Sequence, residues 1–220
     1  MPKDVVQELI AKTFKELSSP PKPAQRSRTW ELPSAYRYLV QWSNAVLLRF
    51  LIRLFTSSLP KSEYRRKAQL DDAGRSVVRN IEEGWKRSNT ADYLDFVGYS
   101  QGSLEEVKGD IRESTEDGFL KSSTGSSLKR IGVDLKDFNT ALKPKGNLEE
   151  NRGEYIPLIV LYPPLKNVRA QDLSYEIFNE LINKTDYLLR TLVQSLEKKL
   201  GDEKKGYQVE QARIKEKFKK

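Results

Sequence analysis

Apolar positions recur at three- and four-residue steps in four long stretches of this chain, the spacing that gives a helix one apolar face. The first begins at Ser34, carries Tyr36, Leu39, Val40, Leu47, Phe50, Leu51 and Leu54, and is stopped by Pro60. The second covers roughly Tyr64 to Lys86. It sets Leu70, Ala73, Val77, Ile81 and Gly84 on one face and Arg75, Arg79 and Lys86 on the opposite one. The third starts with Asn89 as cap and places Asp92 and Asp95 near its positive end. Its predicted buried stripe is Tyr93, Phe96, Ser100, Ser103, Leu104, Val107 and Ile111, fading at Gly118, with the serines and Gly102 letting a neighbouring helix come close. The fourth runs from about Ser174 to Leu200, with Phe178, Leu181, Leu188, Leu192 and Leu196 on one side. Four amphipathic helices around one seam predict an all-α, up-and-down four-helix bundle.

Three segments fall outside that pattern. Asp4 can cap a short amphipathic helix with Val6, Leu9, Ile10, Phe14 and Leu17 on its apolar side, and Ser18 to Pro23 follows as a stiff, proline-rich linker. Residues 121–172 form a long insertion before the last helix, rich in Ser, Gly, Asn, Lys and Pro. It holds one short helical candidate, Asp134 to Leu142, and one apolar run, Tyr155 to Tyr162. That run is read as a strand, as an extended arm for a partner, or as a strap across its own bundle; Pro157 argues against a central strand. Beyond Gly201 lies a Lys-rich tail. The expected organisation is therefore an N-terminal helix and linker over 1–33, a bundle over 34–200 interrupted at 121–172, and a basic tail over 201–220.

Composition narrows the chemistry. Cysteine and histidine are both absent, which removes thiolate nucleophiles, imidazole bases, disulfides and Cys/His metal sites. The adjacent carboxylates Asp71-Asp72, Glu82-Glu83 and Glu105-Glu106 point about 100° apart on a helix and do not converge. No enzyme, cofactor or metal is expected. The N-terminus has no apolar signal region, and the most apolar run, Ala45 to Phe55, contains Arg49 and Arg53 and is too short to span a bilayer. A cytoplasmic protein is expected, with no membrane partner.

The net charge of +8 points to an anionic partner, and its distribution is polarised. Lys61 to Arg87 holds eight basic and five acidic residues, Asn89 to Leu120 two basic and eight acidic, and Gly201 to Lys220 seven basic and four acidic. Arg75, Arg79 and Lys86 form a stripe suited to phosphates, or equally a solvated face in which Glu82 pairs with Arg79 and Lys86. Arg49, Arg53, Arg65, Arg66, Lys67 and Arg87 are further candidates for nucleic-acid contact. The tail is read either as a nonspecific RNA contact, with Tyr207 and Phe218 available to stack, or as a solubilising end.

Two signatures lie 22 positions apart, Asn80-Ile81-Glu82-Glu83-Gly84 and Gly102-Ser103-Leu104-Glu105-Glu106. With Ser76-Val77, Arg87, Tyr93, Phe96 and Gly118-Phe119-Leu120, they resemble the bacterial four-helix bundle family named for proteins encoded in 23S ribosomal RNA intervening sequences. That family includes the accessory variability determinant of diversity-generating retroelements. The resemblance covers Ser34 to Leu120 and Ser174 to Leu200. It implies a non-enzymatic, typically homopentameric protein, and for the retroelement member, binding of RNA or RNA/DNA and of a reverse transcriptase through a basic surface. The residues carrying it also read as packing: Gly84 and Gly102 for close helix contact, Asn80 for a bond between helices, and Glu83 for a pair with Arg87. The alternative to RNA binding is an oligomeric protein-interaction scaffold without nucleic-acid affinity. The N-terminal helix, the insertion and the tail depart from the family's pattern, as do Val78 and Arg79, where it carries small residues.

Overall fold

The computed structural model describes residues 34–144 and 156–218, with side chains to residue 216. The expected N-terminal helix and linker, residues 145–155, and the stacking role assigned to Phe218 lie outside the described residues. All regular secondary structure among the described residues is helical: α1 (Val40–Ser58), α2 (Tyr64–Trp85), α3 (Thr90–Glu116), α4 (Leu135–Leu142), the single turn α5 (Leu158–Leu161) and α6 (Tyr175–Phe218), with short 3-10 turns between them. No helix among them is long and apolar enough to cross a membrane.

The ends follow local chemistry. Pro60 cannot continue α1, and Leu59 before it is extended, at φ −68° and ψ 145°. Asn89 caps α3 by accepting the Asp92 amide at 2.7 Å. Gly118 ends α3 in the left-handed region at φ 80°, and the amides of Phe119 and Leu120 both reach the Ser114 carbonyl at 2.9 Å.

Helix α1 packs on α2, α2 on α3, α3 on α6 and α6 back on α1, while α4 rests against α1. The expected face of α2 is buried in full, together with Gly74 and Val78. In α3 the buried stripe takes in Val97 and leaves Phe96 and Ser103 half-buried. On α6 the buried set is Ile177, Phe178, Leu181, Ile182, Thr185, Leu189 and Leu196, with Leu188 and Leu192 at its edge. Phe55 of α1 meets Phe178 of α6 edge-on at 6.1 Å, which ties the two across the core.

The insertion contributes to the same core. Leu128, Val133, Phe138, Leu142, Tyr162, Leu165 and Val168 are all buried in one cluster with the long helices. The apolar run is not a strand. Pro157 stands before a single helical turn, and Tyr162 then packs edge-on against Phe138 at 5.3 Å while its hydroxyl accepts the Asp134 amide at 3.0 Å. Proline pre-sets φ and lacks an N–H, so it suits the start of a helical turn better than a ladder. Of the run's described residues only Tyr162 is buried, with Leu158 and Leu161 half-buried and Ile156, Ile159 and Val160 exposed, so the strap reading describes its C-terminal end alone.

A carboxylate fastens the insertion to α6. Glu176 receives the Ser123 amide at 2.8 Å and the Ser122 hydroxyl at 2.5 Å, and the Tyr175 amide donates to the Lys121 carbonyl at 3.0 Å. Burial works against the charged form of Glu176, but these hydrogen bonds outweigh it and bring the carboxyl from 4.5 down to about 2.

The last helix does not stop near Leu200. It continues to Phe218, so residues 201–218 are helical rather than a frayed tail. Gly201 and Gly206 are tolerated within it, and Thr90 donates to the Glu203 carboxylate at 2.9 Å, holding the junction to the start of α3. Beyond that bond the side chains are almost all exposed.

Candidate basic helix face

The candidate cations fall along α1 and α2. Helix α2 has 22 residues, so Arg65 and Lys86 sit about 30 Å apart at 1.5 Å per residue, and the array is a track rather than a pocket. At its centre the two helices touch closely. A Cβ on Gly74 would lie 2.7 Å from Ile52 Cδ1 and 3.9 Å from Arg49 Cα, so Arg49 and Arg75 are neighbours across the α1–α2 seam.

The cations divide by what holds them. Arg75 pairs with Asp72 at 3.1 Å and Arg79 with Glu82 at 3.3 Å, both with more than half of the cationic side chain exposed. The Arg75–Asp72 pair is exposed on both sides, the kind that contributes about 0–1 kcal/mol, so phosphate oxygens can replace that carboxylate at little cost, whereas Glu82, the partner of Arg79, is only 16% exposed. Arg53, Lys67 and Lys86 are exposed and have no ion pair among the described residues. Arg65 lies beside Tyr64, its Nε donating to the phenol oxygen at 3.1 Å. Arg49 is half-buried.

Arg66 and Arg87 are engaged within the chain. Arg66 joins Glu63 at 3.2 Å and Asp117 at 2.5 Å, and lies 4.9 Å from the Phe119 ring centre, clamping the start of α2 to the end of α3. The Asp117 hydrogen bond raises its pKa further. Arg87 stacks on Phe96 at 4.2 Å and pairs with Glu83 at 3.9 Å, as the i,i+4 spacing anticipates.

One partner on this face was not legible in the sequence. Glu82 accepts the Trp42 indole N–H at 3.0 Å as well as pairing with Arg79, and it does not pair with Lys86. Tyr36 packs edge-on against Trp42 at 5.3 Å, and burial, followed by the Glu82 charge, pushes the Tyr36 hydroxyl upward. Trp42 and Glu82 lie 40 positions apart on different helices, beyond any spacing rule.

The signature residues separate in the same way. Gly84 is a contact glycine: a Cβ there would stand 2.8 Å from Tyr93 Cδ2 and 2.9 Å from Phe96 Cβ. Ser100 packs closely on α2, its hydroxyl donating to the Val77 carbonyl at 2.9 Å. Gly102 is exposed with open space where a Cβ would point, as is Gly98, so the expected close approach at Gly102 is not made within this chain. Ser76 and Asn80 are half-buried. The acidic residues Asp92, Asp95, Glu105, Glu106 and Glu113 are exposed on α3, away from the cationic track.

Residues 37–137 match the family model for 23S rRNA-intervening sequence protein, a span running from before α1 into α4 and a little under half of the chain. No curated protein matches, and no solved structure matches.

Proposed function

We propose that this chain is a non-catalytic RNA-binding accessory protein, built on an up-and-down four-helix bundle that self-associates. One observation carries the reading. The family match covers both helices of the cationic track, where Arg53, Lys67 and Lys86 stand exposed without an ion pair among the described residues. Arg75 adds to them through an exposed pair that a phosphate backbone can displace, and Arg79 through its own exposed side chain. The contact would be to backbone phosphates, positioning the RNA without reading its sequence. In its most concrete form, suggested by the resemblance to the retroelement accessory protein, the chain holds a reverse transcriptase and its template RNA together. A homopentamer, as the resemblance implies, would multiply a charge of +8 fivefold.

Fluorescence anisotropy with a structured RNA tests this. Affinity is expected to fall steeply with salt, with a log–log slope of about −0.7 to −0.9 per phosphate contact. Reversal of Arg75, Arg79 and Lys86 to Glu is expected to cost at least about tenfold and flatten that slope by about three contacts. Lack of RNA affinity at low salt would overturn it, and light scattering reads the copy number directly. The second reading, a protein-interaction scaffold without RNA affinity, draws on the exposed Ile156, Ile159 and Val160 of the insertion.

A further inference from the structure

We infer that the groove between α4 and α6 is the docking seat of this chain's own N-terminal amphipathic segment, residues 4–17. The groove encloses about 660 Å³ between the first turn of α1, α4 and the middle of α6. Val40, Leu135, Tyr187 and Leu188 wall it, and Lys136 and Lys143 stand on its rim. Its apolar wall is unfinished, because Tyr187 is 70% exposed and Val40 37%. Such residues scattered singly are ordinary, but these converge on one concavity. Asn44 also lines the groove, only 2% exposed, and its Oδ1 has no hydrogen-bond partner. A buried carbonyl oxygen without a donor is unfavourable, so the groove lacks a donor as well as an apolar face.

Continuity, reach and chemistry select the occupant. The preceding chain enters at Ser34, six positions before Val40 on the groove's lip. The 16 residues from 18 to 33 would span about 20 Å as a flexible chain, and further where prolines stiffen them. A tether of that length holds the segment at an effective concentration on the order of millimolar. Val6, Leu9, Ile10, Phe14 and Leu17 make one apolar stripe, which needs an apolar surface to lie on. The charges outside the stripe, Asp4, Glu8 and Glu16 against Lys12 and Lys15, leave the segment net negative opposite the rim lysines. Residues 145–155 carry Leu148 and Tyr155 as their only large apolar residues, so they offer no comparable stripe.

The chain has no cysteine, which makes a disulfide trap unambiguous. Leu9→Cys with Tyr187→Cys in the full-length protein is expected to form an intramolecular disulfide under mild oxidation. It would be read by peptide mapping of the monomer band on a denaturing, non-reducing gel. Leu9→Cys with Arg112→Cys, on the exposed side of α3, is the control and should link at least tenfold less. A link found only between copies, or linking no better than the control, would overturn the inference. In a second arm, Phe14→Asp in the full chain should speed amide exchange several-fold across 135–142 and 183–188 while leaving 70–81 unchanged. Unaltered exchange at the groove would also sink it.

Discussion

A methyl group added at Gly84 would meet the Tyr93 ring at 2.8 Å and the Phe96 Cβ at 2.9 Å, whereas one added at Gly102 would meet nothing within 4 Å. Both glycines sit inside helices, where alanine is favoured by about 1 kcal/mol. Gly84→Ala forces the α2–α3 contact apart, and overpacking of about 1–3 kcal/mol should outweigh that gain. Gly102→Ala should keep the gain and raise the melting temperature by about 2–4 °C. Thermal unfolding of the two variants side by side checks both signs. A lower melting temperature for Gly102→Ala would mean that something outside the isolated chain covers that surface. The sequence marked both positions as small but not which one is approached, because that depends on where α2 and the start of α3 meet.

At the scale of elements, the insertion and α6 are joined through one carboxylate. Glu176 titrates near 4.5 when unfolded and at about 2 when folded, held there by Ser122, Ser123 and neighbouring groups against the opposing effect of burial. Its folded pKa is depressed, so its contribution to stability is present above the unfolded value and is lost as pH falls from about 4.5 towards 2. Denaturant midpoints of wild type and Glu176→Gln should therefore differ at pH 7 and converge as pH approaches about 2; a gap that stays constant with pH would refute the assignment. The four long helices were legible from their apolar spacing, and the starts at Tyr64 and near Asn89 fall where caps and prolines place them. The end of α6 was not. A basic stretch with two glycines reads as a tail, yet helix propagation needs only one new hydrogen bond per residue once the helix is nucleated, and α6 enters residue 201 fully formed.

At the scale of the whole molecule, the insertion is part of the packed body rather than an appendage. Phe138 is fully buried and meets Tyr162 edge-on within the same cluster as α1 and α6. Phe138→Ala should cost about 3–5 kcal/mol and lower the single melting transition of the entire protein. An early, separate transition would show the insertion to be its own unit. Apolar period and turn residues are local properties of a chain, so the sequence by itself determined the helical class, the buried face of α2, the cap at Asn89 and the lack of cysteine and histidine chemistry, whereas α1 buries Trp42, Ala45, Leu48, Ile52 and Phe55 beside the expected Leu47 and Leu51 and leaves Val40 exposed. The Trp42–Glu82 bond, the engagement of Arg66 with Asp117 and of Arg87 with Phe96, the role of the insertion in the core and the open surface at Gly102 were decided only by tertiary structure. Each depends on which residues of distant segments come within a few ångströms, and no spacing rule along one helix specifies that.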